Sequence, residues 1–218
     1  KESSAIENII TTQDELYKAQ LAENFFNDAA AKEVSKYANA LRESFLWVRK
    51  NKLITNKDIK YIQQELEGNN AGYRTNSGTV LKNERTNEIV YMPPQDILTI
   101  EKLMDNLVAF MNDDNLTDLD PLIKMAIIHH RFETIHPFYD GNGRTGRIIN
   151  ILYLVKEDLL NLPILYLSRY IIQYKAEYYR LLQQVRIDAN WEPWILFMLK
   201  GIEETSKQTL FWIDGIKD

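Results

Sequence analysis

Cysteine is absent from all 218 residues, which excludes disulfides, thiol nucleophiles and zinc sites built on thiolates. Histidine is scarce, with three copies, so a metal site would have to lean on carboxylates. The chain has 8 glycines and 6 prolines, few for its length, and helix-favouring residues dominate. Apolar runs stop far short of a bilayer span. No charged-then-apolar leader opens the chain, which starts at Lys1 rather than a methionine, so anything upstream falls outside the sequence. An excess of positive charge is also missing. The net charge of -5 argues against a general nucleic-acid binder, although a local basic cluster is compatible with it. Zero cysteine fits a reducing compartment, and the cytoplasm is the expected location.

What is present is ordinary globular material, with 45% hydrophobic and 26% charged residues, enough for one good core or two small ones. Apolar side chains at Ile97, Ile100, Leu103, Met104, Leu107, Phe110 and Met111 recur every three or four residues, which predicts a helix with one apolar face, started by Pro93 and Pro94. Asp120 followed by Pro121 is a helix start, and that helix runs to about Thr134. Another begins near Gly143 and continues to about Leu160. Its residues Ile148, Ile149, Ile151, Leu152, Leu154 and Val155 cover nearly the whole circumference, which marks a helix buried on all sides at the centre of the fold. Further helices are expected over 14–26, 29–48, 56–66, 168–186 and 192–211. Two short β runs, 77–81 and 88–92, flank a polar turn and read as a hairpin, which at this size must pack on something.

The densest chemistry stands at residues 136–147, HPFYDGNGRTGR. Gly141 and Gly143 let a backbone approach a ligand closely. A helix then starts, and its first N–H groups and positive dipole end form an anion seat. Asn142 adds an amide. Arg144 and Arg147, three residues apart, share a helical face and suit phosphate oxygens, two arginines fitting a di- or triphosphate better than a single phosphate. Asp140 at the edge would repel phosphate unless Mg²⁺ bridged the two. His136, just before the loop, has the proton affinity of a general base for an attacking hydroxyl. Each part alone is commonly a turn or a solvated face, and His129 and His130 read as packing residues. Together the parts describe machinery for transfer from a nucleotide.

The same stretch resembles the signature of the Fic (filamentation induced by cAMP) family, H-x-F-x-D/E-G-N-G-R-x-x-R, with His136, Phe138, Asp140, Gly141, Asn142, Gly143, Arg144 and Arg147 on every fixed position. The resemblance extends to the upstream hairpin and to the segment with Tyr178, Tyr179 and Trp194. It implies an all-α bundle around a central buried helix, with one β-hairpin flap at about 77–92, residues 13–218 forming the catalytic core. It also implies transfer of AMP from ATP to a Ser, Thr or Tyr hydroxyl of a target protein. His136 is then the catalytic base and Asp140 the Mg²⁺ ligand. Gly141, Asn142, Gly143, Arg144, Thr145, Gly146 and Arg147 hold phosphates, and Tyr178 and Tyr179 line the nucleotide pocket. Phe138 anchors the loop in the core. Glu88, Ile89, Val90 and Tyr91 form the flap strand that pairs with the target. Members of the family often dimerise, so a homodimer is an expected state. No membrane and no nucleic acid are expected as partners of this segment.

A second, shorter likeness lies in residues 1–12. Ser3-Ser4-Ala5-Ile6-Glu7-Asn8 matches the family's inhibitory pattern S/T-x-x-x-E-G/N, whose glutamate pairs with the second arginine of the signature, here Arg147. Ser4 and Glu7 also form a capping box, and a capped helix is a good mount for a blocking carboxylate. The variant activities of the family, AMP removal or transfer of another phosphate-containing group, remain open alternatives, as does a non-catalytic nucleotide-binding regulator.

Overall fold

In the computed structural model, residue 6 and residues 29–83 and 86–215 are described. Among them eight α-helices and one antiparallel hairpin follow in order, besides a short 3₁₀ turn at Asp114–Leu116. They are α1 (Ala29–Asn51), α2 (Asn56–Glu67), β1 (Leu81–Lys82), β2 (Ile89–Tyr91), α3 (Ile97–Asn112), α4 (Pro121–Ile135), α5 (Asn142–Lys156), α6 (Leu167–Gln173), α7 (Lys175–Asp188) and α8 (Trp191–Asp214). The expected all-helical architecture with one hairpin is what the chain forms.

α5 lies at the centre. α1, α2 and α4 all pack on it, so Ile148, Ile149, Leu152 and Tyr153 are fully buried. This is the physical meaning of an apolar pattern without a polar face. Local chemistry sets several helix ends. Thr55 and Asp58 form a capping box at the start of α2, and Gly68 ends it in the left-handed conformation. The Asp96 carboxylate accepts the Thr99 N–H at 2.8 Å and starts α3, three residues after the proline pair. Asp120 and Pro121 start α4 as expected.

Three elements depart from expectation. The central helix stops at Lys156, not near Leu160. Asp158 turns left-handed at φ 57. The N–H groups of Leu159 and Leu160 fold back onto the Leu154 carbonyl at 2.9 and 3.2 Å, and Lys52 Nζ caps the Val155 and Lys156 carbonyls at 3.3 and 3.4 Å. The expected single helix over 168–186 is broken at Tyr174, with φ -116 and ψ 35, into α6 and α7. A close seat on α8 accompanies the break. A Cβ at Gly201 would meet Tyr170 at 2.7 Å and Leu167 at 2.8 Å, so that glycine lets α6 lie against α8. The hairpin is shorter than its sequence runs, pairing Leu81 with Tyr91 and Lys82 with Ile89 across an irregularity.

The expected helix over 14–26 and the inhibitory Glu7 lie outside the described residues. Ile6, beside Glu7 in sequence, is described. It is helical and buried in the core, and its carbonyl accepts a hydrogen bond from Lys175 Nζ at 2.8 Å.

Candidate active site

The 136–147 loop is fixed from beneath. Phe138 is fully buried between Tyr73, ring centroids 5.2 Å apart, and Phe132, 6.4 Å apart. Asn142 closes the loop with both ends of its side-chain amide. Its Oδ1 accepts the Phe138 N–H and its Nδ2 donates to the Phe138 carbonyl, each at 2.9 Å. The turn needs φ 78 at Gly141, a left-handed conformation, and a Cβ there would collide with the Glu67 carboxylate. α5 then starts at Asn142 with no side-chain cap, which leaves its first N–H groups facing outward.

These residues form one wall of a cavity of about 1090 Å³. His136, Asp140, Gly141, Asn142, Gly143, Arg144 and Arg147 all line it. Tyr178 and Tyr179 approach from α7, and Val80, Leu81 and Val90 from the hairpin. Thr145 and Gly146 are not brought to the cavity. Thr145 is fully buried. Gly146 faces α4, where a Cβ would meet Glu133 Oε1 at 2.9 Å and Phe132 Cδ1 at 3.0 Å. Its small size serves helix packing, so both residues leave the expected phosphate set. The Asn142 side chain leaves it too, because the loop already uses it, and what remains for a ligand there is backbone.

His136 ends α4 in the left-handed conformation, φ 49. Burial pushes its imidazole down to about 4, and the cations Arg74 and Arg186 push the same way, against the Glu133 carbonyl and Asp140. The ring is therefore neutral at physiological pH, the form that accepts a proton. His129 and His130 are held neutral as well, at about 3 and about 4, chiefly by burial. As expected they are packing residues. His129 Nε2 bonds Tyr178 Oη at 2.9 Å and its ring stacks on Trp194. Tyr178 is thus fixed and buried, while Tyr179 stands half exposed and edge-on to it, ring centroids 5.1 Å apart.

The two arginines differ. Arg144 reaches the cavity while clasped by two carboxylates, Glu33 of α1 and Glu67 of α2, the latter at 2.7 Å. Burial raises the Glu67 carboxyl pKa, Arg144 opposes that, and Asp140 and Glu33 add to it. Arg147 bears on the His129 and Tyr178 side of the wall. Sequence reasoning missed Glu33, Glu67, Lys175 and Arg74, a fully buried arginine behind His136. None of them belongs to a motif.

Asp140 is exposed at the rim, with Oδ1 accepting the Gly141 N–H at 2.7 Å. Among the described residues no cluster of three or more His, Asp or Glu side chains could hold a metal by itself. A lone rim carboxylate fits Mg²⁺ held jointly with phosphate oxygens, the usual arrangement for that ion, better than an all-protein cage.

A Fic/DOC family model matches residues 53–154 and a Fic/DOC family N-terminal model matches residues 1–46. The chain belongs to the Fic/DOC family. The Fic match runs from the start of α2 almost to the end of α5 and includes the whole loop. Protein adenylyltransferase fic-1 of Caenorhabditis elegans is 29% identical over 113 residues, 52% of this chain and 21% of that protein. A probable protein adenylyltransferase of Aquifex aeolicus (strain VF5) is 37% identical over 82 residues, 37% of this chain and 24% of that protein. The matches thus span only a quarter or less of these relatives. The crystal structure of a Fic family protein from Desulfovibrio desulfuricans G20 superposes with TM-score 0.80 at 26% identity, covering 96% of this chain and 62% of that one. The C. elegans Fic-1 structure gives 0.75 at 21% identity, covering 98% and 62%, a likeness of fold.

Proposed function

We propose that this chain is the core of a protein adenylyltransferase that moves AMP from ATP to a Ser, Thr or Tyr hydroxyl of a target protein. One observation carries the reading. A neutral imidazole, an uncapped helix N-terminus with two arginines, and a hairpin share a single cavity. The names of the curated relatives support it.

In this reading ATP lies with its phosphates over the start of α5. The outward N–H groups of residues 142–144, Arg144 and Arg147 receive them, and Tyr178 and Tyr179 border the nucleoside. The target oxygen attacks the α-phosphorus, a new P–O bond forms, and the α–β bridging bond breaks. Pyrophosphate leaves with the bridging oxygen, and the hydroxyl proton passes to His136. Mg²⁺, held by Asp140 and phosphate oxygens, would neutralise charge on the triphosphate. Arg144 keeps Nε unpartnered while its other nitrogens meet Glu33 and Glu67, so phosphate competes with two carboxylates for it. Exposed Glu88, Ile89 and Val90, with half-buried Tyr91, offer an edge for an extended target segment. Zero cysteine suits cytoplasmic work.

Residues 1–12 carry the proposed brake, in which Glu7 engages Arg147 and spoils the γ-phosphate seat. What supports it is the neighbouring residue. Ile6 is packed in the core and bonded to Lys175, a cavity-lining side chain.

The test is intact-mass analysis of the protein, and of candidate targets, after incubation with ATP and Mg²⁺. Addition of AMP, greater in Glu7→Gly, is expected. Addition of phosphate or UMP replaces the reading with another transfer. Loss of AMP from a pre-modified target points to removal. No modification and no ATP binding sinks the reading.

A further inference from the structure

Arg74 is fully buried, and a buried cation is normally matched by a carboxylate. The partners found here are backbone carbonyls. Nε donates to the His136 carbonyl at 2.8 Å, and one terminal nitrogen donates to Ile135 at 3.4 Å and to Pro94 at shorter range. The other terminal nitrogen is buried without a hydrogen bond. Retaining an incompletely satisfied buried guanidinium is costly, so its position needs a reason.

The three carbonyls supply one. His136 holds a left-handed φ of 49 without being glycine, a conformation that persists only where surroundings over-determine it. Pro94 lies on the descending leg of the hairpin, three residues beyond Tyr91. Next to Arg74 the chain repeats the same attachment. The Arg74 N–H donates to the Pro137 carbonyl at 2.9 Å, and the N–H groups of Thr75 and Asn76 donate to Tyr139 Oη at 2.9 and 3.1 Å. Gln95 joins the two hairpin legs, accepting the Gly78 N–H at 2.6 Å and donating to the Thr79 carbonyl at 2.9 Å. Further hairpin contacts lead to α7. Gln183 bonds the Val90 carbonyl at 3.0 Å and Arg186 lies 4.0 Å over the Tyr91 ring.

We infer that Arg74 is a positioning residue that fixes the base of the hairpin to the His136 loop, so that a hydroxyl presented on the hairpin meets the imidazole in register. The inference rests on the adenylyltransferase reading for its purpose, though not for its geometry. Arg74 does not line the cavity. Its removal shifts the hairpin relative to His136 and leaves the phosphate seat on α5 intact.

The experiment compares Arg74→Met and Arg74→Lys in the Glu7→Gly chain. Calorimetry with ATP and Mg²⁺ is expected to give affinities within about threefold of the parent. AMP incorporation at saturating ATP is expected to fall about 10²-fold in Arg74→Met, the scale of a small misplacement of reacting groups. Arg74→Lys, which keeps the cation but reaches fewer carbonyls, recovers part of the rate. Amide exchange at residues 75–79 accelerates by about tenfold while α5 stays protected. A fall in ATP affinity parallel to the rate, or unchanged exchange at residues 75–79, overturns the inference. If Arg74→Met does not fold, Arg74→Lys carries the same comparison with smaller changes. If the parent binds ATP and incorporates no AMP, the transferase reading falls alone, and exchange at residues 75–79 decides the role of Arg74.

Discussion

The loop at residues 136–147 and the hairpin at residues 81–91 face the same cavity, yet they are built in opposite ways. Phe138, Asn142, Arg144 and Arg147 are buried, and the loop is tied to itself through Asn142 and to α1 and α2 through Glu33 and Glu67. On the hairpin, Ile89 and Val90 are exposed, two short strands pair irregularly, and attachments lie at the base and at Gln183 and Arg186. Electrostatic stabilisation of a transferring phosphoryl group works only if donors are oriented beforehand, because reorganising them would cost rate. A strand edge that receives peptide segments needs accessible backbone and tolerance instead.

The contrast can be broken most sharply at His136. Replacing it with Ala should abolish AMP transfer while ATP affinity stays within a few-fold, since the proposed phosphate seat lies on α5 and not on His136. Labelled-ATP incorporation and calorimetry separate the two, and parallel loss of both would mean that loop and seat are one unit. Next comes a matched pair of truncations. Phe138→Ala should cost about 3–5 kcal/mol, the usual range for a fully buried phenylalanine. Ile89→Ala, on the exposed hairpin, should change stability by no more than about 0.5 kcal/mol while slowing modification of a protein target. Denaturant titration reads the first difference and target labelling the second, and similar stability losses would erase the distinction drawn here.

Acid supplies a subtler probe. His129, His130 and His136 are depressed from 6.5 to about 3, 4 and 4. Between those values and 6.5 the unfolded chain binds more protons than the folded one, so stability is full above about 6.5 and falls as pH drops toward 3. Melting temperatures from pH 7 to 4 should decline accordingly, and ¹H–¹⁵N spectra of the nucleotide-free protein should show His136 titrating near 4. A value near 6.5 would place the ring in solvent and remove the buried-base picture. The smallest expected effect is at Gln183→Ala. Faster amide exchange across residues 89–91 with unchanged ATP affinity and melting temperature would show that this bond, beside the Arg186 contact, helps hold the hairpin to α7.

Much of this organisation was legible beforehand. The helix bounds at Asn56, Pro121 and near residue 142 and the central position of α5 follow from patterns within a few residues, and the anchoring of Phe138 was implied by the resemblance of the loop to the Fic signature. The failures share a cause. The break at Tyr174 is coupled to Gly201 on α8. Gly146 reads as part of a phosphate loop until α4 is seen against it. The Asn142 amide faces a backbone four residues away instead of a ligand, and sequence gives no direction to a side chain. Arg74 acts on His136 across 62 residues and Glu33 on Arg144 across 111, so neither stands near the motif it serves.

By itself, then, the order of residues determined where several helices begin, at Asn56, Pro121 and near residue 142, and which chemical groups gather at one helix start, because capping, periodicity and glycine conformations depend on neighbours in the chain. Tertiary structure alone decided which of those groups turn toward the cavity, which carboxylates already hold Arg144, and that His136 stays neutral. Those properties depend on burial and on charges that folding brings together from distant parts of the chain.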